Sequence, residues 1–287
     1  RGSPFAAPPV GDFRWRPPQP AEPWDGVREA GTFGPDPYQG DGKGNVSEDC
    51  LYLNVWTPAL DENAGLPVMV WIHGGSHTGG WSYEPNYEGD SLARRGVVVV
   101  SIAYRLDIFG FFSHPDLEVS NFGLLDQVAA LNWVRKNIRS FGGDEDNVTV
   151  FGESAGAASA GYLLASPLAR GLFRRLIHQS AGYQLAHDDH RESFLDEGLR
   201  LERRVLKGAA DPGIAGLRKA SAETLLVAAA EVYEDYRPDV VVDGHSLPAS
   251  PRHLLSQGGL MAVDLLIGTN ADEWKMYLDA GSDAEDV

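Results

Sequence analysis

The chain reads as an α/β protein organised on a largely parallel sheet, and three observations predict it. Short apolar runs alternate with helically spaced segments between residues 66 and 180, the signature of strands joined by crossover helices. One run, Val97-Val-Val-Val-Ser-Ile-Ala103, is apolar on both faces, as a strand covered on both sides must be. Another, Val148 to Phe151, enters Gly152-Glu153-Ser154-Ala155-Gly156 and then the small-residue segment Ala157 to Leu164. Strand, tight glycine turn and helix follow one another there.

Residues 1–47 hold Pro4, Pro8, Pro9, Pro17, Pro18, Pro20, Pro23, Pro35 and Pro37, which forbids a continuous helix. With Trp15, Trp24 and Phe33 spaced along it, the segment predicts an extended arm lying on a core. Glu48 to Thr57 alternates as a strand does, and Leu66 to Ile72 is the next strand, running straight into His73-Gly-Gly-Ser-His-Thr-Gly-Gly80. Leu124, Val128, Leu131, Val134 and Ile138 line one face of a helix over 124–138. Phe141 to Asn147 reads as a loop, Phe173 to His178 as a short strand, and 193–206 and 221–236 as helices. Val240 to Gly244 and Val263 to Gly268 are strand-like.

Composition narrows the function. The 287 residues hold 41 acidic and 24 basic side chains, a net charge of −17 that disfavours nucleic acid and anionic membrane surfaces as partners. No apolar run reaches membrane-spanning length. The single cysteine, Cys50, excludes an internal disulfide.

The segment around Ser154 fits G-x-S-x-G, a turn that presents a serine hydroxyl at the top of a sheet. Such a hydroxyl attacks only when a base takes its proton and a third group orients that base. The tetrahedral intermediate needs N–H donors aimed at its oxyanion. The residue after the nucleophile, Ala155, supplies one, and the glycine-rich turn after Ile72 supplies others. The acid must follow Ser154 at the end of a later strand, where Asp272 and Glu273 stand after the 263–268 run. The histidines are 73, 77, 114, 178, 187, 190, 245 and 253; none follows Glu273, so the order serine, acid, histidine is not completed within the chain.

Several motifs taken together resemble the type B carboxylesterases, the branch that includes cholinesterases and bacterial para-nitrobenzyl esterases. They are Ala7-Pro-Pro-Val-Gly-Asp-Phe-Arg14, Glu48-Asp-Cys-Leu-Tyr-Leu-Asn-Val55, Trp71-Ile-His-Gly-Gly75, Tyr104-Arg105, Phe109-Gly-Phe-Phe112, Asn121-Phe-Gly-Leu-Leu-Asp-Gln127, Phe141-Gly-Gly-Asp144, Asn147 through Gly156, and Gly268-Thr-Asn-Ala-Asp-Glu273. The resemblance implies an α/β-hydrolase fold, a central and mostly parallel sheet flanked by helices, over residues 1–287 as one partial, C-terminally incomplete domain. It implies hydrolysis of small-molecule carboxylic esters through an acyl-enzyme, with no metal or organic cofactor. By position Ser154 is the nucleophile, Glu273 the triad acid, and Gly75, Ser76 and Ala155 the oxyanion donors. Glu153 matches a buried acidic residue that tunes the site. His77, Trp81, Tyr83, Phe109 and Tyr183 are candidates for the substrate pocket walls. Arg14 with Glu48, and Arg105 with Asp126, match the family's structural ion pairs.

Four departures qualify the match. The family's catalytic histidine lies beyond the acid, so the chain reads as a fragment cut at both ends that holds nucleophile and acid but not base. Ser76 replaces the usual glycine or alanine, though its backbone N–H still donates. Cys50 matches a disulfide-bonded cysteine of secreted relatives but has no partner, which favours a bacterial-type, reduced or disulfide-free member and, with it, a cytoplasmic location. The segment His114 to Ser120 is shorter than usual. A catalytically incompetent or non-catalytic relative of the same fold is the rival reading, and thioester, lactone or amide hydrolysis is a third.

Overall fold

The computed structural model describes residues 1–40, 44–181, 188–208, 211–233, 238–273 and 275. Its strands are β1 (Ser3–Pro4), β2 (Asp36–Pro37), β3 (Val46–Ser47), β4 (Tyr52–Trp56), β5 (Leu66–Ile72), β6 (Val98–Ile102), β7 (Gly143–Glu153), β8 (Arg175–Gln179) and β9 (Asp264–Gly268). The helices are α1 (Asp90–Ala93), α2 (Asp107–Gly110), α3 (Phe122–Asn137), α4 (Ala155–Ala165), α5 (Leu195–Val205), α6 (Gly213–Lys219), α7 (Ala222–Val232) and α8 (Pro251–Ser256). Seven strands form the main sheet in the order β1-β4-β6-β5-β7-β8-β9. The first two pairings are antiparallel and the remaining four parallel. This is the α/β-hydrolase arrangement.

The run 97–103 supplies β6, and all five of its strand residues are buried, as two-sided covering requires. One core cluster packs β5, β6 and β7 against α3 and α4 through Val70, Val100, Val150, Leu131 and Leu163. A second gathers Trp15, Phe112, Phe122, Leu201, Leu217 and Leu225, and so joins the N-terminal arm to α5, α6 and α7.

The arm is extended and does lie on the core. Its opening residues pair with β4, and Trp15 is buried with its indole N–H donating to Ile108 O at 2.6 Å. Trp24, by contrast, stays 49% exposed. Arg14 clamps the arm down: it grips Glu48 bidentately at 2.6 and 2.7 Å and donates to the carbonyls of Leu217, Arg218 and Ala220 at the end of α6. A cation among the last carbonyls of a helix satisfies acceptors that the helix leaves unpaired. Arg105 makes the other expected pair, to Asp126 on α3 at 2.7 and 2.8 Å, both groups buried. Such a pair fixes geometry more than it adds net stability.

Three expectations need correcting. The stretch 141–147 is not all loop: β7 begins at Gly143, because Gly143 pairs with Leu66 across a register shift and extends the ladder. Residues 240–244 do not join the sheet, and only Val242 makes an isolated bridge, to His190. Val240, Val241 and Val242 are buried, but a side chain takes the place of a neighbouring strand. Asn121 Nδ2 donates to Val241 O at 2.7 Å and Asn121 Oδ1 accepts from Val241 N at 3.0 Å. The expected helix over 221–236 ends at Val232, and 234–237 lie outside the described residues.

Candidate active site

Strand β7 delivers Ser154 to the start of α4. Ser154 sits at φ 53° and ψ −127°, a region that non-glycine residues avoid at a cost of roughly 1–3 kcal/mol. Its surroundings hold it there. The Ser154 N–H donates to Gln179 O at 2.9 Å, and its carbonyl accepts from Ala158 N at 2.9 Å. The flanking glycines serve close approach. A Cβ on Gly152 would stand 2.5 Å from Gly156 C, and one on Gly156 would stand 2.1 Å from Ile72 O. Helix α4 can therefore press its first turn against the end of β5 only with glycine at 156.

The turn after β5 is left-handed at three successive residues: Gly75 (φ 103°), Ser76 (φ 55°) and His77 (φ 57°). Gly75 O accepts from both Thr78 N and Gly79 N at 3.0 Å, which closes the turn. The N–H groups of Gly75 and Ser76 have no acceptor among the described residues, and both residues are exposed. Ala155 N–H, in the first turn of α4, has no intrahelical acceptor either. The turn and the elbow touch: a Cβ on Gly74 would stand 2.9 Å from Glu153 O and 3.2 Å from Ser154 Cβ.

Glu273 stands just past β9. Its Oε2 accepts from Asn270 N and Thr269 Oγ1, both at 2.7 Å. The Asn270 N–H first, then the Thr269 and Ser180 hydroxyls, hold the carboxyl below the usual glutamate range. Donors to the charged form favour that form, so Glu273 is ionised at neutral pH. Ser180 N donates to Gly268 O at 2.9 Å and ties the ends of β8 and β9 beneath it. Glu153 is shifted the other way, raised first by desolvation and then by the charge of Glu273.

Two cavities open at this end of the sheet. One, of about 500 Å³, is lined by Gly75 and Ser76 of the turn together with Gln39, Asp107, Leu226 and Tyr233. The other, of about 410 Å³, lies over the ends of β7, β8 and β9 between Glu153, Ser180, Ile267 and Asn270.

Several expected residues lie elsewhere. His77 does not form a pocket wall: it is 0% exposed, because both ring nitrogens are drawn into the interior by Asp239 and Ser159. Phe109 is likewise buried, edge-on to Tyr38 at 5.5 Å in the second core cluster. Tyr83 stacks on Phe33 of the arm at 4.3 Å. Trp81 is half-buried, and Tyr183 lies outside the described residues. Glu153 is exposed rather than buried, since it borders the open cleft over β8 and β9. Among the histidines that precede Glu273, His245 and His253 are both exposed, on a turn and on α8.

The cavity wall missed in the sequence had a signal. Leu226, Ala229, Ala230 and Tyr233 recur at i, i+3, i+4 and i+7 and line the larger cavity from one face of α7 and its end. Ser180 had a weaker one, as a polar residue directly after the strand next to the elbow.

The carboxylesterase family model matches residues 1–286. The chain is 42% identical to the fumonisin B1 esterase of Sphingopyxis macrogoltabida, over 97% of this chain and 53% of that protein. It is 40% identical to the para-nitrobenzyl esterase of Bacillus subtilis, over 99% of this chain and 60% of the relative. Among solved structures, the Geobacillus stearothermophilus carboxylesterase EST55 superposes with a TM-score of 0.88 at 43% identity, covering 96% of this chain and 58% of that one. The chain thus spans between half and two thirds of these relatives' length. A match of this extent, at this identity and on this sheet, has one reading: the chain belongs to the carboxylesterase family.

Proposed function

We propose that the whole protein is a serine esterase that cleaves small-molecule carboxylic esters through an acyl-enzyme. The observation that carries this reading is the strained Ser154 at the start of α4, in contact with a turn whose N–H groups at Gly75 and Ser76 have no acceptor among the described residues.

Ser154 Oγ attacks the ester carbonyl while a histidine takes its proton. The chain spans 53% and 60% of two relatives' length, and a histidine from the remainder would be placed to act as this base. Glu273, ionised and fixed by its hydrogen bonds, holds that histidine in the tautomer that can accept the proton and stabilises it once charged. The N–H groups of Gly75, Ser76 and Ala155 receive the oxyanion, each worth on the order of a hundredfold in rate. The alcohol leaves with the proton from the histidine. Water then attacks the acyl-Ser154 ester with the same histidine as base and releases the acid.

The ionised Glu273 carboxylate favours the protonated form of a histidine beside it when negative charge develops at Ser154. The reading is tested by p-nitrophenyl butyrate hydrolysis in the full gene product beside Ser154→Ala. Release that disappears with the substitution supports it, and release that persists refutes it.

A further inference from the structure

His77 makes two contacts that join separate parts of the site. Its Nδ1 lies 2.6 Å from Asp239 Oδ1 and its Nε2 lies 2.8 Å from Ser159 Oγ. Ser159 Oγ also accepts from Gln127 Nε2 at 2.9 Å. With that donor in place, the Ser159 hydroxyl proton goes to His77 Nε2, and Nδ1–H donates to the Asp239 carboxylate. The order carboxylate, imidazole, hydroxyl is that of a catalytic triad, but this set is closed to substrate. Ser159 and His77 are both 0% exposed.

Its place in the fold gives it another task. His77 directly follows Ser76 in the left-handed turn. Ser159 lies on α4, the helix that begins with Ala155, and Gln127 lies on α3. Pro238, next to Asp239, lines the larger cavity beside Gly75 and Ser76. The backbone of His77 is itself at φ 57°, and its carbonyl accepts from Asp107 N at 2.7 Å. A non-glycine residue keeps such a conformation only where its surroundings over-determine it. Two side-chain hydrogen bonds to two different segments do that here.

We propose that His77 is a positioning residue: its buried bridge from Asp239 to Ser159 fixes the Gly75–Ser76 N–H groups of the turn against the Ala155 N–H of α4. The inference rests on the reading of those three groups as oxyanion donors. Donors aimed at a developing charge act on the transition state and not on ground-state binding, so their misplacement lowers kcat and leaves KM nearly alone.

The test compares His77→Phe, Ser159→Ala and the double variant in the full gene product. Rates are taken per active site with p-nitrophenyl butyrate, and inhibition with a trifluoromethyl ketone that forms a hemiketal at Ser154. Both single variants are expected to lose about tenfold or more in kcat with KM within about threefold. The inhibition constant of the ketone rises in step with the loss in kcat/KM, and the double variant is no worse than His77→Phe. His77→Gln, whose amide reaches toward Ser159, recovers part of the rate. A purely structural role would lower the melting temperature and leave the rate per active site within about twofold of the parent, and that result overturns the proposal.

Amide hydrogen exchange gives a second readout that needs no catalysis. His77→Phe is expected to speed exchange over residues 73–80 by about tenfold or more while strand β4 is unchanged. Equal protection overturns the positioning role whether or not the parent cleaves esters. A parent without Ser154-dependent hydrolysis counts against the serine-esterase reading instead.

Discussion

At the scale of single residues, the proposed chemistry depends on conformations that the chain would not adopt alone. Ser154 is held at positive φ, and the strain is a stability cost kept at the proposed nucleophile. Ser154→Gly should therefore unfold at higher denaturant than Ser154→Ala, by about 1 kcal/mol, although neither hydrolyses esters. Equal midpoints would mean that the elbow is unstrained. His73 supplies a pH dependence. It is fully enclosed, stacked on Tyr104 at 4.5 Å, and desolvation pushes its pKa from 6.5 down to about 4. The unfolded chain takes up this proton near pH 6.5 and the folded chain only near 4, so acid favours unfolding. The contribution of neutral His73 is complete above pH 6.5 and is lost as pH falls from there toward 4, on the order of 3 kcal/mol in all. Urea midpoints at the two ends of that window should differ less for His73→Phe than for the parent. An equal difference would place the titration elsewhere.

At the scale of elements, the site is a meeting of strand ends. Gly156→Ala would push a methyl group to 2.1 Å from Ile72 O at the junction of α4 with β5. A loss of about 3 kcal/mol or more in unfolding free energy is expected, because neither backbone can yield without disturbing both the elbow and the turn. A loss below about 1 kcal/mol would show that the junction is slack. This packing was half legible in the sequence. The spacing of Gly152, Ser154 and Gly156 between an apolar run and small residues located the elbow, and the both-sided apolar run located β6. Three features were not legible. Asn121 replaces a strand for Val241 through a side chain 120 positions away in sequence. Gly143 joins β7 only because Leu66 stands opposite. His77 is in the core because Asp239 and Ser159, from distant segments, receive it. Each depends on a long-range partner that no local pattern encodes. Glu153 was misplaced for the converse reason: burial depends on what covers a strand end, not on the strand's own sequence.

At the scale of the whole molecule, the sheet is sealed on one flank and open on the other. Beyond β6 the arm and β4 cover it. At the far edge β9 leaves Leu265, Leu266 and Ile267 each more than half exposed, at 53%, 64% and 57%. Consecutive residues on a strand point to opposite faces, so both faces of β9 are bare, and its outer edge has no strand partner among the described residues. The 287-residue chain on its own should bind a hydrophobic dye strongly, and Leu266→Lys should lower that signal. Weak binding unaffected by the substitution would contradict the exposure of this edge. The full gene product, if it covers β9, should bind the dye weakly.

In the proposed mechanism Ser154, and not the buried Ser159 five residues later, is the nucleophile. The most direct measurement is the mass of the peptide spanning both serines after the full gene product reacts with a fluorophosphonate ester. One phosphonyl adduct is expected, located on Ser154 by fragmentation and absent from Ser154→Ala. An adduct on Ser159 or on any other residue, or no adduct at all, would contradict it.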